Sequence, residues 1–170
     1  MIMFLRQSLA ILALPVTVVV LIPVWIAENY SVELAFVRSP RLIALQCAGI
    51  VVLAVGAGLF IASVRRFAIE GKGTLAPWDP PRRFVVSGPY RFVRNPMISG
   101  IIFLLFGEAL LLRSVPHAGW AVLCAALNLT YIPLVEEPQL KRRFGAPYEE
   151  YSRNVPRFVP RLTPWRQPTG

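Results

Sequence analysis

The sequence predicts an all-α fold: a polytopic membrane helical bundle of about four transmembrane helices, with a cytoplasmic cap loop and amphipathic C-terminal helices. Three observations predict it. The chain is 55% hydrophobic with a mean hydropathy of +0.55, too apolar for an ordinary soluble domain. Its apolar residues fall into four blocks instead of being spread along the chain. Its net charge of +9 is concentrated at one set of block ends. At 170 residues, one membrane domain (1–170) is expected. Its parts are an N-terminal hairpin (1–64), a cytoplasmic loop and motif (65–96), a second hairpin (97–135) and an amphipathic C-terminal segment (136–170).

The first block, 9–27, carries no charge and is broken only by Pro15 and Pro23. It exceeds a secretory signal core, has only Arg6 ahead of it and lacks a clear small-x-small cleavage site, so it reads as a retained helix. The second block, 42–64, is rich in small residues, and Gly49, Ala54, Gly56, Ala57 and Gly58 form a face that lets a neighbouring helix approach closely. An outer loop, 28–39, joins the two. A bilayer crossing takes about 20 apolar residues, which both blocks supply. The third and fourth blocks, 97–112 and 120–135, are near the lower limit and are expected to borrow flanking residues.

Between the hairpins a loop is expected from Arg65, because Gly71, Gly73, Pro77, Pro80 and Pro81 rule out a continuous helix. Leu75, Trp78, Phe84, Val85 and Val86 supply apolar anchors for an ordered cap over the helix ends. After Val135, Glu136 and Glu137 precede Pro138, which suits a helix start where carboxylates meet the positive end of the dipole. Leu140, Phe144, Tyr148 and Tyr151 then make one apolar-aromatic stripe. Gly145-Ala146-Pro147 divides this region into two short helices, and the tail from Val155, with Pro156, Pro160 and Pro164, is expected to be extended.

Charge orients the bundle. Arg65, Arg66, Lys72, Arg82, Arg83, Arg91 and Arg94 lie in the central loop, and Lys141, Arg142, Arg143, Arg153, Arg157, Arg161 and Arg166 follow the fourth block. The other side has only Arg38, Arg41 and Arg113. Cations stay on the cytoplasmic side, so both termini and the central loop are expected there, with a bacterial inner membrane as the expected setting. These cations flank membrane helices and meet anionic lipid headgroups, which argues against nucleic acid as a partner. No metal-ligand spacing is present. Cys47 and Cys124 fall mid-span as small apolar residues, and His117 reads as a solvated residue in a short outer turn.

Two polar clusters carry the chemistry. One is the run Gly88-Pro89-Tyr90-Arg91-Phe92-Val93-Arg94-Asn95-Pro96-Met97-Ile98-Ser99-Gly100; the other is Glu136-Glu137 with Lys141, Arg142 and Arg143. Carboxylates and guanidinium groups at opposite lips of a bundle suit a zwitterionic small molecule. The charges alone equally suit the plain role of ending the spans against lipid phosphates. Within the third span, Glu108 either bonds a neighbouring helix, with Asn128 as partner, or lines a tunnel for a lipid-like substrate.

The ordered residues Gly88-Pro89-Tyr90-Arg91, Arg94-Asn95-Pro96 and Gly100, followed by Glu136-Glu137, Leu140, Phe144-Gly145, Tyr148, Tyr151, Val155-Pro156 and Pro160, resemble the isoprenylcysteine carboxyl methyltransferase and phospholipid methyltransferase superfamily of integral membrane enzymes. The resemblance spans roughly the last hundred residues. It implies a methyltransferase that uses S-adenosylmethionine as cofactor and acts on a lipid-like or small amphiphilic methyl acceptor. By the same resemblance, Tyr90, Arg91, Arg94, Asn95, Gly100, Glu136 and Glu137 lie around the cofactor, and Arg143 orients an acidic acceptor. Glu137, with Glu136, is the nearest general base for an amine acceptor. The family run usually has histidine and tyrosine where this chain has Asn95 and Ile98. Asparagine keeps hydrogen bonding but cannot transfer a proton, so the substitutions bear on the acceptor more than on the cofactor. Two other readings compete: an NADPH-dependent membrane reductase of the sterol reductase type, and a non-catalytic relative that retains the site for packing.

Overall fold

Long apolar runs with few backbone breakers wind into helices, and in this computed structural model the described residues are 12–34, 39–70 and 84–166. Among them all regular structure is helical. A π-helical segment, Leu12–Leu21, with Pro15 inside it, leads into α1, Ile22–Asn29. Pro23 sits in the first turn of α1, where its missing N–H costs nothing. Then come α2, Pro40–Glu70, and α3, Pro96–Leu112. The helix α4, Val115–Tyr131, passes through a π-helical turn, Ile132–Glu136, into α5, Glu137–Phe144. The last helix, α6, is Ala146–Asn154. Two helices, Pro40–Glu70 and Val115–Phe144, are long and apolar enough to cross a membrane, and Leu14–Asn29 and Pro96–Leu112 are shorter apolar helices.

The described residues form two compact units. The first takes the chain up to Gly58 together with Gly100–Ala125; the second takes Leu59–Ser99 and the chain from Ala126 onward. In the first unit the expected small-residue face packs α2 against α3. A Cβ added at Gly49 would stand 2.7 Å from the Leu111 nitrogen, and one at Gly56 would stand 2.8 Å from the Leu104 nitrogen. From the other side, a Cβ at Gly107 would meet Leu53 Cγ at 2.6 Å. Backbone therefore lies on backbone, the geometry that small residues permit in lipid. Gly58, expected on the same face, has nothing within 4 Å of an added Cβ and takes no part. Leu105, Ala121 and Cys124 form a buried cluster, joined by Trp120, whose indole N–H donates to the Val18 carbonyl at 3.0 Å.

Three local expectations need correction. The second helix runs on to Glu70, so Arg65 and Arg66 are helical; Arg66 pairs with Glu70 one turn away at 3.2 Å. Arginine, alanine, isoleucine and glutamate all propagate a helix beyond its apolar part. The last long helix borrows flanking residues as expected and starts at Val115. His117 consequently lies in α4 and is buried, its Nδ1 2.8 Å from Ser114 Oγ and its Nε2 3.1 Å from the Pro23 carbonyl. It ties α4 to α1 and is no solvated turn residue. Finally, α5 begins at Glu137 with Pro138 in its first turn, as expected, but Glu136 is itself helical, so this start is not a free helix end. The preceding helix continues through both glutamates, and the wider π-helical turn takes in Pro133 ahead of Pro138. Residues 71–83, with Leu75 and Trp78, lie outside the described residues, so the cap is represented only by Phe84, Val85 and Val86.

Candidate functional site

The second unit carries the run and the glutamates. The run is fastened at its start, where Ser87 Oγ donates to Glu70 Oε1 at 2.6 Å. Gly88 then adopts φ +55°, and a Cβ there would press on the Arg66 side chain at 3.1 Å, so both conformation and space ask for glycine. Pro89 pre-sets the single 3₁₀ turn Gly88–Arg91. Beyond it, Val93 and Pro96 are buried, which holds Arg94 and Asn95 between two fixed points.

The stripe of Leu140, Phe144, Tyr148 and Tyr151 forms as expected and becomes the core of this unit. Tyr148 and Tyr151 are buried with Val155 and Trp165, and Phe84, Val86, Leu140 and Phe144 pack around them. Phe84 sits at 5.0 to 5.7 Å between ring centroids from Phe144, Tyr148 and Tyr151. Gly145, with φ +61°, turns the chain between α5 and α6 so that both helices contribute to that core. The Tyr151 hydroxyl donates to the Tyr90 carbonyl at 2.7 Å, which ties the aromatic core directly to the run.

The tail is non-helical from Val155 and lies against the run as a strap. The Arg94 N–H donates to the Pro156 carbonyl at 2.9 Å, Arg161 N–H to Phe92 at 3.0 Å and Trp165 N–H to Arg91 at 2.9 Å. Arg91 Nε returns a bond to the Trp165 carbonyl at 2.7 Å. Arg157, on the same strap, grips Glu137 in a fork: Nε to Oε1 and Nη2 to Oε2, both at 2.7 Å. Arg94 Nη1 reaches Glu137 Oε1 at 2.8 Å, so one carboxylate serves two guanidinium groups.

Electrostatics follow from this burial. Tyr90 is held well above its ordinary value by burial and by the neighbouring Glu136 carboxylate. Tyr148 is pushed up to about 12 by burial first and by Glu137 second, against an opposing pull from Arg94. Tyr151 is raised chiefly by burial, and Arg157 is raised by its hydrogen bond to Glu137. The three phenols therefore stay protonated near neutrality; Tyr151 donates to the Tyr90 carbonyl and Tyr148 accepts from Arg94. Arg94 Nε and Asn95 Nδ2 are buried donors without a hydrogen-bond partner.

The structure thus brings together Tyr90, Arg94, Glu136 and Glu137, with Asn95 beside Arg94 in the chain. The other expected site residues lie elsewhere. Arg91 turns to Trp165. Gly100 is buried on α3, its carbonyl 2.9 Å from a Cβ built at Gly56. Arg143 is exposed, its guanidinium 5.6 Å from the centre of the Phe144 ring. Sequence reasoning missed the roles of Arg157 and Trp165. Arg157 is one of four arginines spaced through the tail, and composition gives no reason to prefer it over Arg153, Arg161 or Arg166.

A profile of the phospholipid methyltransferase family matches residues 45–147, more than half of the chain. The chain belongs to the phospholipid methyltransferase family. Comparison with curated proteins and with solved structures gave no match. Phospholipid methyltransferases are membrane enzymes that transfer methyl groups, and the apolar helices α2 and α4 agree with that setting. The match takes in most of α2, the whole run, Glu136-Glu137 and α5, and it stops before the strap that carries Arg157. Among the described residues no group of three or more histidine, cysteine, aspartate or glutamate side chains is placed to hold a metal ion.

Proposed function

We propose that the chain is an S-adenosylmethionine-dependent methyltransferase whose acceptor is a lipid-like or small amphiphilic molecule, with the site on the cytoplasmic side of the membrane. One observation carries this reading: the pair of buried, unpartnered donors, Arg94 Nε and Asn95 Nδ2, within the run. A buried donor without an acceptor costs about 1–3 kcal/mol, so a ligand presenting acceptor oxygens would recover that loss. S-adenosylmethionine presents such oxygens in its carboxylate and ribose hydroxyls, and Glu136, beside Tyr90, suits the ribose hydroxyls or the ammonium group. The residues therefore fit the group.

When bound, the sulfonium supplies an activated methyl, and the protein has to align, enclose and balance charge. Arg94 and Asn95 would bind and orient the donor, and Tyr90 would wall it. Both oxygens of Glu137 are engaged by arginines, so Glu137 serves to fix them. Glu136 is left as the group able to accept a proton from an amine acceptor. Arg143, on the exposed face of α5, is the cation proposed to orient an anionic acceptor.

Calorimetry on detergent-purified protein tests this reading, with S-adenosylmethionine, S-adenosylhomocysteine and NADPH as separate probes. Micromolar binding of the first two, lost in Asn95→Ala and in Glu136→Ala, is the expected result. Binding of NADPH alone would overturn it.

A further inference from the structure

We infer that Arg157, on the C-terminal strap, is a positioning residue that keeps Arg94 available to the methyl donor by occupying Glu137; the inference rests on the donor-binding reading above. The three side chains form one unit. Arg157 takes both carboxylate oxygens in a fork at 2.7 Å; Arg94 reaches the same carboxylate through Nη1 alone, to Oε1 at 2.8 Å, and also hydrogen-bonds the Tyr148 side chain. The side chains of Glu137 and Arg94 are each 13% exposed, so the carboxylate has little water to turn to. Arg94 Nε is left as a buried donor with no partner.

The division of labour follows from guanidinium geometry. Arginine prefers to meet a carboxylate through two parallel N–H bonds. Arg94 does not do so here, because Arg157 already holds that arrangement on Glu137. With Arg157 removed, Glu137 is able to turn and take Arg94 in the same fork, satisfying Nε and cancelling its charge. The donor-facing group would then be lost although Arg94 itself is unchanged. The strap sets this up: the backbone bonds from Arg94 to Pro156 and from Arg161 to Phe92 place Arg157 between two fixed points, and that from Trp165 to Arg91 adds a third further along. Arg157 lies beyond the segment matched by the family profile.

A charge count gives the test its sign. Two arginines on one carboxylate leave a net positive unit; Arg157→Ala makes it neutral, and adding Glu137→Gln makes it positive again while removing the competing carboxylate. The probes are S-adenosylmethionine and S-adenosylhomocysteine, titrated calorimetrically into the full chain, with thermal unfolding recorded for every variant. Arg157→Ala is expected to weaken both about ten- to hundredfold, the worth of one charge-assisted hydrogen bond. The double variant Arg157→Ala, Glu137→Gln is expected to recover most of that loss, although it removes a further polar contact. A residue that merely supported the fold would give a double variant as weak as the single one or weaker. Arg157→Lys keeps the charge but cannot occupy both oxygens, so it is expected to fall between wild type and alanine; it carries the same comparison if the alanine variant does not fold. Unchanged binding in Arg157→Ala and Arg157→Lys, or a loss that Glu137→Gln fails to recover, overturns the inference. Wild-type protein that binds neither probe overturns the reading beneath it instead.

Discussion

Around Gly49, Gly56 and Gly107 two helices approach until one added carbon would strike the neighbouring backbone. In the second unit two guanidinium groups meet the one carboxylate of Glu137, and aromatic side chains make up the core. The first region works by omission and the second by pairing. In lipid, where water does not compete and tails are as apolar as leucine, close backbone approach is what lets helices associate. In the second region, buried charges persist only when matched. The two regions therefore fail in different ways, and substitution can separate them.

The largest effect is expected in the paired region. Glu137→Ala leaves Arg94 and Arg157 facing each other without a counter-charge, which costs about 3–5 kcal/mol when a buried pair loses one member. Arg157 is 35% exposed, so the lower end is expected. Denaturant unfolding in detergent measures it. Next comes the glycine seam: Gly56→Val is expected to lose about 1–3 kcal/mol through overpacking, because its Cβ would stand 2.8 Å from one backbone atom and 2.9 Å from another. Gly58→Ala is the matched control, with open space around it, and is expected to be neutral or to gain up to about 1 kcal/mol of helix propensity. A loss at Gly58 equal to that at Gly56 would break the comparison. Tyr151→Phe removes only the 2.7 Å bond to the Tyr90 carbonyl and is expected to cost about 1 kcal/mol, with the ring packing retained.

The smallest effect is confined to alkaline pH. Tyr148 is raised from the ordinary tyrosine value to about 12 by burial and by Glu137. The folded state holds that proton more tightly than the unfolded chain does. Its contribution is thus complete below about pH 10 and is lost as pH rises toward about 12. Unfolding followed from pH 7 to 9 should show no contribution from Tyr148; a Tyr148→Phe variant should lose part of the fall above pH 10.

The apolar blocks were legible because a membrane helix is written as uninterrupted hydropathy, and the small residues on the second block announced their neighbour. Gly58 shows the limit of that signal: it has the right composition but lies on the open side, which only helix phase decides. Glu136-Glu137-Pro138 announced the start of α5 but not that the helix before it runs into that start through a π-helical turn. A tolerance for Pro133 in the wider turn cannot be read from residue type. The run and the glutamates were legible as a motif. Their pairing through Arg157 was not, since four tail arginines look alike until the backbone of the strap chooses one.

That strap has a consequence for how the protein is made. Arg91 and Trp165 are 74 positions apart in sequence, and Tyr90 and Tyr151 are 61 apart. Synthesis proceeds from the N-terminus, so the ribosome delivers α2, α3 and α4 to the bilayer well before the residues that lock the run have emerged. The run is thus fastened only once Tyr151 and the strap have been made. A chain stopped after Asn154 is expected to reach the membrane in normal amounts and yet bind no methyl donor in the same calorimetry. Insertion of the helices and fastening of the run are then separate events in one chain.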